Sequence, residues 1–100
     1  MASMESYVYL LRPLRGDLIR TMTAAEEEIL GRHFDYLEAR LRAGSLVLAG
    51  PCLDGAFGIV VFTAPSESDA RLAMEGDPAI AEGVMTGELH PFRVSLLQGR

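Results

Sequence analysis

The side chains whose types suit proton transfer, nucleophilic attack or metal binding are few in this sequence: His33, His90 and Cys52, with Asp77 the carboxylate set in the most distinctive context. At about 100° per helical residue, His33 falls roughly 60° from the line through Leu30, Leu37 and Leu41, beside Ile29, Tyr36 and Arg40. That is the border of a core-facing stripe. An imidazole there is partly desolvated and held in place, which suits it to general acid–base work near neutral pH. The same position also suits a boundary histidine that hydrogen-bonds a carbonyl, and periodicity alone favours that plainer role. Asp77-Pro78 reads by itself as ordinary capping, because aspartate fits the position before a helix and proline its first residue. His90, in Glu88-Leu89-His90-Pro91, reads as an edge or surface residue, and Cys52 as a half-buried bystander or a reactive thiol. Two histidines and one cysteine this far apart give no metal site of usual spacing, and neither a Gly-rich phosphate loop nor a nucleophile elbow is present. The sequence therefore implies no metal and no cofactor.

The elements that must position these residues follow from pattern. Tyr7 to Leu11 is β-branched and aromatic, followed by Pro13, and reads as a first strand. Arg15 to Leu18 reads as a loop. Thr23-Ala24-Ala25-Glu26 is a capping box, opening a helix whose apolar line is Leu30, Phe34, Leu37 and Leu41 and whose end is Gly44. Leu46 to Ala49 and Phe57 to Thr63 are strands joined through Gly50-Pro51 and Leu53-Asp54-Gly55. Ser66 starts a second helix that Gly76 closes, Asp77-Pro78 begins a further turn, and a last strand runs from about Met85 to Leu96, interrupted by Pro91. Strand, helix, strand, strand, helix, strand implies an α+β ferredoxin-like β-α-β-β-α-β sandwich, both helices on one face of an antiparallel sheet.

Composition narrows the class. With 100 residues, 49% of them hydrophobic, and no compositional break, the chain is expected to form one domain spanning residues 1–100. A net charge of −5, with Arg12, Arg15 and Arg20 as the only basic cluster, argues against nucleic acid as a partner. No apolar run approaches the ~18 residues of a membrane span. Together with a single cysteine this implies a protein of the cytoplasm that does not engage a membrane. In the first and third strands both alternating sets are apolar: Val8 and Leu10 against Tyr7, Tyr9 and Leu11, and Ile59 and Val61 against Val60 and Phe62. Helices can cover only one of those faces, so a homodimer through the open sheet face is expected, the alternative being a monomer whose own C-terminal segment covers that face.

Taken together, Arg32-His33-Phe34-Asp35-Tyr36-Leu37, Leu41 to Gly44, Val47-Leu48-Ala49-Gly50-Pro51, Ser66 to Ala70, Asp77-Pro78, Gly83 and His90-Pro91-Phe92 resemble the YciI-like (YCII-related) family, in the family's order and over nearly the whole chain. The resemblance implies a dimeric α+β barrel with a His/Asp pair at its site, which position by position is His33 and Asp77. It also implies a small-molecule ligand, because some members resemble dehydrochlorinases of hydroxylated aromatics and the fold is similar to that of muconolactone isomerase. Phe34, where a smaller aliphatic is usual, and the polar Arg12–Met22 connection depart from the pattern. Two functions are consistent with it. One is an isomerase- or lyase-like enzyme in which His33 moves a proton, Asp77 orients it, and Tyr36, Arg40 and Pro51 contact the substrate. The other is a dimeric protein that binds a small ligand without turnover.

Overall fold

The computed structural model describes residues 4–99. Strand β1 (Glu5–Pro13) leads through a short helix α1 (Leu18–Thr21) to the long helix α2 (Ala24–Ala43). Strands β2 (Leu46–Pro51) and β3 (Gly58–Ala64), helices α3 (Glu67–Glu75) and α4 (Pro78–Ala81), and strand β4 (Met85–Pro91) follow. The four strands form one antiparallel sheet in the order β2-β3-β1-β4, the ferredoxin-like arrangement expected from the element order.

β1 lies at the centre and fixes which side chains face the helices. Tyr7 pairs with Phe62, Tyr9 with Val60, and Leu11 with Gly58. Because side chains alternate along a strand, Tyr7, Tyr9 and Leu11 point with Val60 and Phe62 to one face. There they form a buried core with Leu37 of α2, Ala70, Ala73 and Met74 of α3, and Ala79 of α4. Small residues on α3 and α4 let those helices lie close to the sheet. Val8, Leu10, Ile59 and Val61 occupy the other face.

Helix α2 begins where its chemistry predicts. The Thr23 hydroxyl accepts from the Glu26 amide at 3.1 Å, and the Glu26 carboxylate accepts from the Thr23 amide at 2.9 Å. It ends at Gly44, whose φ of 87° is the left-handed region that glycine enters without a Cβ clash.

Four sequence expectations need correction. Phe34 and Leu41 do not face the core; they are 65% and 56% exposed. The covered stripe of α2 is Glu26, Ile29, Leu30, His33, Tyr36, Leu37 and Arg40. Three polar residues spaced seven apart (Glu26, His33 and Arg40) therefore run along its middle, and the apolar pattern had placed its centre on the wrong side of them. The connection after β1 holds helix α1, which buries Leu18, where a loop was expected. β2 continues through Gly50 and Pro51 before turning, because it is an edge strand that tolerates them. The last strand stops at Pro91, short of Leu96. Among the described residues, no helix is long and apolar enough to cross a membrane.

Candidate functional site

The centre of the site is Asp77. It caps α4, its Oδ1 accepting from the Ala79 amide at 3.0 Å, and Pro78 supplies the first helical residue. A cap on a surface turn is usually wet, yet Asp77 has no exposed surface at all. A buried carboxylate must be surrounded by donors. Here Nδ1 of His33 lies 2.7 Å from Oδ1, and the Tyr9 hydroxyl donates to Oδ2 at 2.6 Å. Three elements thus converge on one side chain: β1 through Tyr9, α2 through His33, and the start of α4 through its own amide. Since Oδ1 already accepts from Ala79, the network assigns the proton between it and His33 to Nδ1. Nε2 then carries a lone pair, and no hydrogen bond to it is made among the described residues. The His33 side chain is 18% exposed, so the ring is anchored on one edge and reachable on another.

Tyr9 is the participant that pattern reading passed over. It is 1% exposed, and its ring meets Phe62 edge-on with centroids 5.6 Å apart. Burial pushes its phenol far above the ordinary tyrosine range, and the charge and hydrogen bond of Asp77 push the same way. It is therefore a fixed donor at any ordinary pH. The available signal was modest: a tyrosine on the helix-facing side of a central strand has to find a partner for its hydroxyl.

Further along α2, the Tyr36 hydroxyl donates to the Ala73 carbonyl at 2.6 Å, tying α2 to α3, and accepts from Arg40 at 3.1 Å. The Arg40 guanidinium lies 5.0 Å over the Tyr36 ring, and its Nε is buried without a hydrogen-bond partner among the described residues.

A sequence model of the YCII-related domain matches residues 6–93. The chain belongs to the YCII-related family. No curated protein matches it significantly in sequence. Among solved structures it is similar to 5-chloro-2-hydroxyhydroquinone dehydrochlorinase from Burkholderia phenoliruptrix, in complex with 2,5-dihydroxybenzoquinone. The TM-score is 0.68 at 18% identity, over 88% of this chain and 93% of that one. At that identity the likeness establishes a shared fold.

In this YCII-related chain Tyr9, His33, Tyr36, Arg40 and Asp77 all fall within the matched span. Pro51 stands apart from them. It ends β2 opposite Gly58 and lines a hollow with Leu48, Cys52 and Ile59. His90 lies on the other face of the sheet, opposite Val8, with Nε2 2.6 Å from Oε2 of Glu88. Cys52 is half-buried beside Pro51.

Proposed function

We propose that this YCII-related protein is a small-molecule enzyme of isomerase- or lyase-like type, with His33 as the group that moves a proton. The observation that carries the reading is the 2.7 Å contact between His33 Nδ1 and a fully buried Asp77, which leaves Nε2 uncommitted on a partly exposed ring. Such an imidazole can take a proton at Nε2, and the carboxylate behind it stabilises the cation that forms. On a hydroxylated, halogenated ring, the kind of compound named for the structurally similar dehydrochlorinase, the step is an elimination. The ring first takes its keto form, in which one hydroxyl's proton has moved to the carbon that bears chlorine. Nε2 then takes the proton of a second hydroxyl, whose O–H electrons form a carbonyl and shift a ring double bond onto that carbon, and chloride leaves with the electrons of its bond. HCl is lost overall, with no net oxidation or reduction. On an enolisable lactone the same base would move a proton from one carbon to another. Tyr36 and Arg40, one and two turns from His33, are proposed contacts for a phenolic or anionic substrate. Since the Tyr36 hydroxyl already serves Ala73, its contribution is its ring and the orientation it gives Arg40. Pro51 is a proposed ligand contact at a separate place.

The chemistry is tested by chloride release from chlorinated hydroxyhydroquinones and deuterium exchange into lactones. Wild type and His33→Gln are compared, and a base of this kind contributes about 10²–10⁴-fold. One observation supports the alternative of binding without turnover: the apolar hollow at Leu48, Pro51, Cys52 and Ile59 is not bounded by His33 or Asp77. Ligand protection that survives His33→Gln but is lost in Pro51→Glu would favour it. The protein is also proposed to act as a homodimer, two copies meeting through the face that carries Val8, Leu10, Ile59 and Val61.

A further inference from the structure

Asp77 carries more hydrogen bonding than its capping role needs. The Ala79 amide alone would satisfy a helix N-cap, and that amide uses only Oδ1. Oδ2 is claimed by Tyr9, a residue 68 positions away along the chain. Tyr9 is held from several sides. It sits on the central strand, paired with Val60 on one side and Leu89 on the other, its ring packed on Phe62. A carboxylate can rotate about its last torsion, exchanging its two oxygens or tilting out of plane with respect to a partner. With Oδ2 fixed by Tyr9 and Oδ1 by Ala79, that rotation is blocked. Only one edge of the carboxylate is then available to His33, and it is an accepting edge.

We infer that Tyr9 is a positioning residue that acts through Asp77, selecting the imidazole tautomer in which Nδ1 of His33 is protonated and Nε2 is left to meet a substrate. The inference rests on the proton-transfer reading of His33 for its functional meaning, but its physical content is the state of one ring. Neutral imidazole is nearly indifferent between its two tautomers, so the hydrogen bond made by one nitrogen decides the state of the other. Without the Tyr9 hydroxyl, Oδ2 would lack a donor in a place water does not reach. The carboxylate, then held only at Oδ1, would be free to rotate about its last torsion, and its alignment with Nδ1 would loosen. A Tyr9 that served only to fill the core would do none of this, because phenylalanine fills the same space.

The experiment is ¹H–¹⁵N spectroscopy of the histidine side chains in wild type and Tyr9→Phe, at a pH where His33 is neutral. Wild type should give a slowly exchanging, downfield Nδ1–H and an unprotonated Nε2 for His33. In Tyr9→Phe that proton should broaden or vanish and a population protonated at Nε2 should appear, while the amide resonances of β1 and β3 keep their positions. Fluorotyrosine at position 9 leaves the packing in place and strengthens the donor, so it covers the case in which Tyr9→Phe folds poorly. It should move the Nδ1–H resonance without moving the sheet amides. An imidazole spectrum unchanged in both variants would overturn the inference. With a turned-over substrate in hand, Tyr9→Phe should lower kcat by about tenfold or more with little change in KM, a part of the ~10²–10⁴ that a positioned base supplies. Loss of turnover in His33→Gln with an unchanged ring in Tyr9→Phe would sink this inference and leave the proton-transfer reading standing. A changed ring in Tyr9→Phe with undiminished turnover in His33→Gln would do the reverse.

Discussion

At the scale of single residues, the fold has committed a buried carboxylate to three donors, and removing that carboxylate strands them. Asp77→Ala leaves the Tyr9 hydroxyl and the Ala79 amide without an acceptor at a position that has no exposed surface. The expected loss is about 3–5 kcal/mol, measured by urea unfolding. Asp77→Asn keeps the shape, and its amide group can donate to the Tyr9 oxygen while its carbonyl still serves Ala79. Its loss should be about 1–2 kcal/mol. A result in which Asn and Ala are equally mild would mean the network is not what holds this corner. His33 could be singled out from its place on a helical stripe, but its partner could not, because 44 residues separate it from Asp77 and no periodicity links them. Resemblance supplied Asp77. Tyr9 is not marked by the apolar alternation of β1, which carries no information on where a buried hydroxyl finds its acceptor.

At the scale of elements, the start of α2 joins the loop to the helix. The Arg15 guanidinium reaches both oxygens of Glu26, at 2.8 and 2.9 Å, while Glu26 also completes the capping box with Thr23. The Arg15 hydrogen bonds and then the Thr23 amide hold the Glu26 carboxyl down at about 2, against an ordinary 4.5. A depressed carboxyl stabilises the fold above its unfolded value and loses that contribution as pH falls toward its folded one. Wild type should therefore lose stability between roughly pH 4.5 and pH 2 more steeply than Glu26→Gln, as read from thermal melts across that range. Thr23→Ala should cost about 1 kcal/mol near neutral pH. On β4, Gly87 lies under α3 and α4, where an added Cβ would stand 2.6 Å from Ile80 Cδ1 and 2.9 Å from Met74 Sδ. Gly87→Ala should cost about 1–3 kcal/mol by overpacking.

The element order was legible because capping boxes, terminal glycines and β-branched runs are local signals. The rotation of α2 was not. Counting apolar residues favoured Phe34 and Leu41, whereas the folded helix turns its line of Glu26, His33 and Arg40 inward: Glu26 meets Arg15 before the helix, His33 meets Asp77 44 residues on, and Arg40 meets Tyr36 one turn back.

At the scale of the whole molecule, β1 and β3 carry half-buried Val8, Leu10 and Ile59 on the face away from the core, where Val61 is already buried within the chain and Leu48 on β2 is 41% exposed. If a second copy covers that face, sedimentation should give a species near twice the 10.9 kDa chain mass. Leu10→Glu should convert it to single chains by placing a charge in a desolvated contact. A wild-type species at the single-chain mass under micromolar conditions would rule the pairing out. The double-sided apolar alternation was visible in the sequence, since strand periodicity is a local property. What meets that face depends on contacts between chains, which no strand periodicity encodes.

His33, held by Asp77, is proposed to move a proton at Nε2. The most direct test is the rate of chloride release from 5-chloro-2-hydroxyhydroquinone, with deuterium exchange into unsaturated lactones run in parallel, for wild type and His33→Gln at matched folded concentration. Wild type should turn over in at least one of these reactions, and the variant should be slower by about a hundredfold or more. Equal rates for the two proteins, or no turnover by wild type in either reaction, would contradict that role for His33.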